Sequence, residues 1–339
     1  MHKIAVVILN WNGKDLLEKF LPSIVQFTNH KIADIYVADN ASTDDSIEFV
    51  KQQFPSINII QNNENGGYAK GYNDALKQVK AEYFALVNSD IEVTENWLEP
   101  VIEYFSLHKN TAIIQPKIMD YKSKQYFEYA GAAGGFIDQF GYPFCRGRIF
   151  DTVETDVFQY ENITDIFWAS GACFFVRAEV FYQLNGFDEM YFAHQEEIDF
   201  CWRAKNFGYE IKYTPHSIVY HVGGATLSSY NPQKTYLNFR NSLTTLLKNI
   251  PKNKIIRIIF YRLILDGIAA IKFLFELQPK HTFAVLKAHI SFYKNIRTIC
   301  KKREDTPNKN INYFYTKSIV YQYYIKQKKL FSKITPEEF

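Results

Sequence analysis

Leu86-Val87-Asn88-Ser89-Asp90 reads as a buried strand that stops on an exposed carboxylate. In an open α/β sheet the ligand chemistry lies just past the carboxyl ends of the strands. A carboxylate at that point can hold a divalent cation against a diphosphate, because Mg²⁺ binds through one or two carboxylates plus phosphate. A strand-end Asp also serves simply to cap the next turn. The stretch therefore takes its meaning from the segments around it.

Working outward, Ile4-Ala5-Val6-Val7-Ile8-Leu9 is a continuous apolar, β-branched run of the kind found in central parallel strands. It ends at Asn10-Trp11-Asn12-Gly13, and a helix is predicted over 14–27. Ile35-Tyr36-Val37-Ala38 is the second strand and ends on Asp39. Ser42 or Thr43 can cap the helix that follows, and Asp44 and Asp45 suit its positive end. A third strand covers 57–61. The turn 62–67 then leads to a helix over 68–79, and the fourth strand runs from Tyr83 to Val87. Four βα units predict a doubly wound sheet. Farther on, short strands are expected at 112–114, 172–176, 211–213 and 218–221, with a helix over 196–207 that Gly208 ends.

The chain has 339 residues, 47% of them hydrophobic, and its aromatic content of 17% is high. Its four Cys are scattered without a C-x-x-C pair, which argues against a zinc site or a disulfide framework. The N-terminus leads straight into a strand, so no secretory signal is expected. The net charge of +3 conceals a split. Residues 1–233 carry 18 Lys+Arg against 30 Asp+Glu, whereas residues 234–339 carry 21 against 6. Two parts with different surroundings are implied. In the basic part, Ile255 to Leu277 is strongly apolar. Arg257, Arg262, Asp266, Lys272 and Glu276 interrupt it and fall within about half of a helical wheel. No uncharged run approaches the about 20 residues that a spanning helix needs. A second helix over 281–300 carries Lys280, Lys287, Lys294 and Lys301 every seven residues, and a polar linker is expected at 301–312.

Four groups of residues can carry chemistry. Asp39 at a strand end can accept the N3–H of uracil or thymine, or merely cap its own turn. The first turn lacks G-x-G-x-x-G, which disfavours a dinucleotide. Asn65-Gly66-Gly67-Tyr68-Ala69-Lys70-Gly71-Tyr72-Asn73 begins a helix with paired glycines, which let backbone N–H groups approach a ligand. There Lys70 either faces a diphosphate or is a solvated surface charge. Glu196-Glu197-Ile198-Asp199 concentrates three carboxylates, and one raised in pKa by its neighbours would suit a general base. Acids at a helix N-terminus are also favourable in themselves. His221 follows a β run, and neutral imidazole is a common metal ligand, although a lone His is more often structural.

Taken in order, these segments resemble glycosyltransferase family 2. The motifs are 7–12, 37–44, Asn65 to Asn73, 86–90, Gly186-Phe187-Asp188-Glu189, 196–203 and Tyr220-His221-Val222-Gly223-Gly224. The likeness is greatest to the rhamnosyltransferase-like branch that builds bacterial surface polysaccharides, and it covers about residues 3–250, including Arg240-Asn241. It implies the GT-A fold, an α/β doubly wound mixed sheet of Rossmann-like type, and inverting transfer from a nucleotide-diphosphate sugar. The expected organisation is a catalytic domain over 1–233, split into a donor half (1–95) and an acceptor half (96–233). A helical basic region (234–300) and an aromatic basic tail (301–339) follow.

By motif, Asp39 matches the base-reading residue, and Asn10, Asn12, Asn65, Gly66, Gly67, Lys70, Asn73, Asn88 and Ser89 fall at nucleotide-sugar positions. Asp90 and His221 match metal ligands for Mg²⁺ or Mn²⁺. Glu197 matches the general base, with Asp199 and Glu196 as rivals. Asn88 stands where the family's D-x-D motif has its first acid, and Glu197 where it usually has Asp. The expected donor is a UDP- or dTDP-sugar, dTDP-rhamnose among them. The expected acceptor is a glycan or polyprenyl-diphosphate-linked hydroxyl.

The apolar helices beside a Lys stripe imply a cytoplasmic protein peripheral on anionic lipid at the inner membrane face, or packing onto the catalytic domain or a homodimer. Nucleic acid is not an expected partner. The alternative function is an inactive sugar-nucleotide-binding or membrane scaffold protein.

Overall fold

A computed structural model of the chain describes residues 3–223, 231–304, 307 and 311–336. The first half alternates as its apolar runs dictate: β1 (Ile4–Asn10), α1 (Lys14–Phe27), β2 (Ala33–Asp39), α2 (Ser46–Gln53), β3 (Asn58–Gln61), α3 (Gly67–Leu76) and β4 (Tyr83–Asn88). After these come β5 (Ile91–Val93), α4 (Glu99–Leu107) and β6 (Thr111–Asp120). Short strands follow as β7 (Gly135–Ile137), β8 (Pro143–Cys145), β9 (Arg148–Ile149), β10 (Thr152–Val153) and β11 (Thr164–Asp165). The rest are β12 (Cys173–Arg177), α5 (Ala178–Gln183), α6 (Glu196–Asn206), β13 (Glu210–His221), α7 (Pro232–Asn249), α8 (Ile255–Phe275) and α9 (Pro279–Glu304).

The large sheet has the order β11-β13-β6-β12-β4-β1-β2-β3, with β5 paired to β13. β1 pairs in parallel with both β2 and β4, so the strand order reverses around it. β12 joins β4 antiparallel, which makes the sheet mixed. Strand β1 is buried on both faces. Ile4, Val6 and Ile8 meet Leu17, Leu21 and Ile24 of α1, while Ala5 and Val7 belong to the cluster holding Tyr72 and Leu76 of α3. Helices cover both sides, as a continuous apolar strand requires. The crevice of a doubly wound sheet opens at such a reversal, past the strands' carboxyl ends. Here those ends are Asn10, Asp39 and Asn88.

Several boundaries differ from the sequence reading. The segments at 211–213 and 218–221 are one strand, β13, whose register shifts between Thr214 and Ile218 and so absorbs Pro215. β6 is ten residues long because it pairs with β13 along its length. Residues 301–304 of the expected linker belong to α9, and 305–306 and 308–310 lie outside the described residues.

The boundary expected at residue 233 does not divide the packing. Lys248 of α7 reaches Asp188 at 2.8 Å and Asp199 of α6 at 2.9 Å, all three side chains being buried. The aromatic tail completes the core. Tyr313 stacks on Trp202 at 4.8 Å, and Phe331 lies against Phe136 and Phe144 of the small sheet β10-β9-β8-β7. In α8 two of the five charges, Arg262 and Asp266, point inward, whereas Arg257, Lys272 and Glu276 stay exposed. Arg262 and Asp266 form a buried pair at 2.7 Å and bond Phe140 O, Ser242 and His289. Apolar residues of the helix point outward as well: Ile256 is 87% exposed and Phe275 85%.

Burial opposes ionisation of Asp188 and Asp199, yet Lys248 beside both holds them below the usual carboxylate range. Lys248→Ala removes that cation from two buried acids and is expected to cost about 3–5 kcal/mol in urea unfolding. A loss under about 1 kcal/mol would show that Arg203 and Lys302 suffice.

Candidate active site

The β1–β2 side of the crevice is built on Asn10, the last residue of β1 and fully buried. Its Nδ2 donates to Asp39 Oδ1 at 3.2 Å, Ser42 Oγ at 3.2 Å and Ser46 Oγ at 2.9 Å. Asn10 thus joins β1, β2 and α2 beneath the site. Expected at a nucleotide-sugar position, Asn10 is 0% exposed here and supports the crevice from beneath. Asp39 accepts the Ser42 N–H at 3.1 Å, so it does cap its own turn while sitting at the crevice. Asn12, at φ 49°, accepts from Thr43 N–H at 2.7 Å and donates its own N–H to Ser42 Oγ at 2.9 Å. The two loops border a cleft of about 500 Å³ lined by Asn12, Gly13, Lys14, Asp44 and Asp45.

The glycine turn is held by asparagines. Asn65 Oδ1 accepts from Gly67 N–H and from Asn40 Nδ2, each at 3.0 Å. Gly67 has φ +75° and a Cβ there would lie 2.4 Å from Phe192 O, so only glycine fits. Tyr68 N–H donates to the same Phe192 O at 2.8 Å. Two expectations change here. Lys70 is bound by Asp74 and by Glu64 at 3.6 Å, so its charge is already neutralised. Asn73 grips the Phe187 backbone, donating to its O and accepting from its N–H at 2.9 Å each. It fastens the Gly186–Glu189 turn rather than a nucleotide.

Past β4, the expected exposed carboxylate is in fact buried. Asp90 is 5% accessible because the pairing of β5 with β13 sets Ile91 opposite His221. His221 Nε2 lies 3.2 Å from Asp90 Oδ1, and Nδ1 lies 3.1 Å from Glu128 Oε1, the latter out of line for a hydrogen bond. Burial opposes the imidazolium, but the Glu128 and Asp90 carboxylates outweigh it and push the ring up to about 10. Asn88 and Ser89 sit half-buried at the strand end. Asn88 is tied by its N–H to Ala172 O at 2.9 Å. Gly224, the end of the His221 motif, lies outside the described residues.

With the imidazole deprotonated, as metal binding requires, Asp90 Oδ1 and His221 Nε2 are close enough to share one hard cation. Glu128 stands behind the imidazole, as carboxylates do behind ligating histidines. Among the described residues no three His, Cys, Asp or Glu side chains are grouped to hold an ion by themselves. Phosphate oxygens and water would complete the shell, the usual arrangement for Mg²⁺.

The acids of α6 separate into two kinds. Asp199, fully buried, accepts from Arg203 at 2.8 Å, Lys248 at 2.9 Å and Asn249 at 2.8 Å. Saturated and held ionised, it serves the scaffold, and its candidacy as base is corrected on that ground. Glu196 and Glu197 each keep one buried carboxylate oxygen without a partner. Burial pushes the Glu197 carboxyl up to about 7, against backbone N–H groups that favour its ion. Burial and then the neighbouring Glu197 raise Glu196 further. The charges of both Glu128 and Glu197 reach the buried Cys145 of β8.

Sequence reasoning missed Glu128, which no motif marks and which only the folded chain brings to His221. It also missed Asn40, although Asn40 sits inside a quoted motif. Its Nδ2 also donates to Gly67 O at 3.0 Å, and its Oδ1 accepts from Asn62 at 3.1 Å.

Comparison with known proteins places this geometry. The family model described as "Glycosyl transferase family 2" matches residues 5–183, more than half of the chain. An N-acetylglucosaminyl-diphospho-decaprenol L-rhamnosyltransferase of Mycobacterium tuberculosis is 24% identical over 233 residues, covering 64% of this chain and 75% of its own. The low-salt glycan biosynthesis hexosyltransferase Agl10 of Haloferax volcanii is 23% identical over 81% of this chain and 86% of its own. Among solved structures, GalNAc-T7 with UDP, GalNAc and Mn²⁺ superposes with a TM-score of 0.59 at 16% identity. That match covers 75% of this chain and 49% of the other, so this chain spans about half of that structure's length. The chain belongs to glycosyltransferase family 2 and is a glycosyltransferase of the GT-A fold.

Proposed function

We propose that this glycosyltransferase moves a sugar, with inversion, from a nucleoside-diphosphate donor to a hydroxyl of a glycan or polyprenyl-diphosphate-linked acceptor in surface polysaccharide synthesis. UDP- and dTDP-sugars, dTDP-rhamnose included, are the donors to test first. The observation that carries the reading is Glu197: a carboxylate in the first turn of α6 with a free buried oxygen and a pKa near 7. A base poised near the working pH transfers protons most effectively.

In this reading Glu197 takes the proton of the acceptor hydroxyl as its oxygen attacks the anomeric carbon and the bond to the diphosphate breaks. Asp39 faces the base, and the N–H groups of the Gly66–Gly67 turn lie on the donor side. Asp90 and His221 would hold Mg²⁺ or Mn²⁺, which supplies positive charge to the leaving diphosphate. The two named relatives, which act in rhamnosyl transfer onto a decaprenyl-diphosphate-linked sugar and in glycan biosynthesis, support the acceptor class.

The reading extends to a place at the membrane. Among the described residues no helix is long and apolar enough to cross one. The outward residues Phe260, Ile264, Ile268 and Ile271 of α8 and Phe283, Leu286 and Ile290 of α9 are each at least 46% exposed, and exposed Lys280, Lys287 and Lys294 lie along α9. An apolar strip bordered by lysines suits anionic lipid at the inner membrane face. A homodimer through the same strips is the second reading.

Five outcomes test these assignments. A panel of UDP-, dTDP- and GDP-sugars with Mn²⁺ should give transfer or slow donor hydrolysis. Glu197→Gln should lower it by at least about a hundredfold with nucleotide affinity unchanged. Because the base acts as its ion, kcat/KM should fall about tenfold per pH unit below about 7 and level off above it. An acid limb centred near the ordinary glutamate value would move the base elsewhere. Asp90→Ala should weaken Mn²⁺-dependent nucleotide binding in calorimetry, whereas an unaltered Mn²⁺ titration would remove Asp90 from the ion site. Liposomes with anionic lipid should sediment the protein in a salt-sensitive way. Sedimentation as a dimer without lipid binding would favour the second reading.

A further inference from the structure

We propose that Arg240 and Asn241 of α7 are positioning residues that hold the 191–195 turn in the one conformation that aims Glu197 into the cleft. The inference rests on Glu197 being the proton acceptor.

The turn is an unusual piece of backbone. Phe192, His194 and Gln195 have φ of 64°, 67° and 75°, in the left-handed region that side-chain-bearing residues rarely adopt. Such backbone persists only where its surroundings over-determine it. The determining contacts come from two sides. From α7, Asn241 Nδ2 lies 3.2 Å from Tyr191 O, 2.9 Å from Ala193 O and 2.7 Å from His194 O. Arg240 Nη2 donates to Met190 O at 3.1 Å and to Tyr191 O at 2.9 Å. Arg240 Nε donates to Asn241 Oδ1 at 2.7 Å, which fixes which end of the amide faces the carbonyls. From α3, Tyr68 N–H holds Phe192 O. No other residue type with a short side chain offers two amide hydrogens to a cluster of carbonyls while accepting one bond itself.

The turn passes its geometry directly to the acids. Gln195 is the residue before α6, and its O accepts the Asp199 N–H at 2.9 Å in the first turn of that helix. A change of φ at 194 or 195 therefore swings Glu196 and Glu197 together. Tyr68 of α3, Cys145 of β8, and Glu196 and Cys201 of α6 are the titratable groups whose interactions reach Glu197. The Arg240 cation is spent on two carbonyls and an amide. The clamp thus acts through geometry and water exclusion and adds no opposite charge beside the carboxylate. The clamp lies beyond residue 183, where the family-model match ends, so it adds the helical region to the catalytic apparatus.

Asn241→Asp keeps the shape and the Arg240 bond but removes the donor; Asn241→Ala removes both. In the full chain, each should raise amide hydrogen exchange across 190–197 at least tenfold while exchange in β1 and β4 stays unchanged. Turnover with the active donor should fall at least tenfold with donor KM within twofold. The acid limb of the pH–rate profile should move to lower pH as water reaches Glu197. Arg240→Lys, which keeps one donor, should fall between these variants and the parent. Unchanged local exchange in a folded Asn241→Asp protein would overturn the clamp. So would lost turnover with the acid limb at its parent position. Faster local exchange together with a parent protein that transfers no sugar would refute the proposed function and leave the clamp standing.

Discussion

Buried Glu196 and half-buried Glu197 stand side by side, each with one buried carboxylate oxygen that no protein group satisfies. Desolvating two adjacent acids is among the least favourable arrangements in a folded chain. The rest of the structure is organised so that it can persist. The start of α6 offers backbone N–H groups and its positive end to the pair. One turn farther on, Asp199 is tied to Arg203, Lys248 and Asn249, which anchors the helix by an interaction that does not reach the cleft. The acids of one short segment thus divide their work. The saturated one holds the helix, and Glu197, with its unsatisfied oxygen, stays protonatable near neutrality.

The same economy governs the ends of β1 and β2. Asn10 spends its Nδ2 on Asp39, Ser42 and Ser46, and Asn40, Asn62 and Asn65 lock the glycine turn. Residues that look like ligands in a linear motif are often one layer below the ligand. They shape loops whose backbone and remaining side chains face the crevice. The Asp90–His221–Glu128 chain follows this pattern too, since two elements 131 positions apart are brought within 3.2 Å by a strand ladder.

The C-terminal helices join these parts to a surface of different character. Burying Arg262 and Asp266 as a bonded pair beside Ile258 and Ala270 leaves Phe260, Ile264, Ile268 and Ile271 of α8 facing outward. An ordinary amphipathic helix does the reverse. The buried pair carries little net stability by itself. Its consequence is orientation, because it determines which face of the helix meets the surroundings.

The amino-acid sequence by itself determined the doubly wound half of the sheet, because continuous apolar runs between polar turns admit few alternatives. It also determined the crevice at the ends of β1, β2 and β4, and it placed Asp39, Asp90, Glu197 and His221 in the order of a nucleotide-sugar transferase. Four things waited for the tertiary structure. These were the burial of Asp90 against His221 and Glu128, the use of Asn10, Lys70, Asn73 and Asp199 in contacts within the protein, the burial of the Arg262–Asp266 pair of α8, and the seizure of the 191–195 turn by Arg240 and Asn241. Each depends on partners distant in the chain. A side chain's type and spacing report what it can do, but the groups that surround it in space decide which of its atoms remain free to do it.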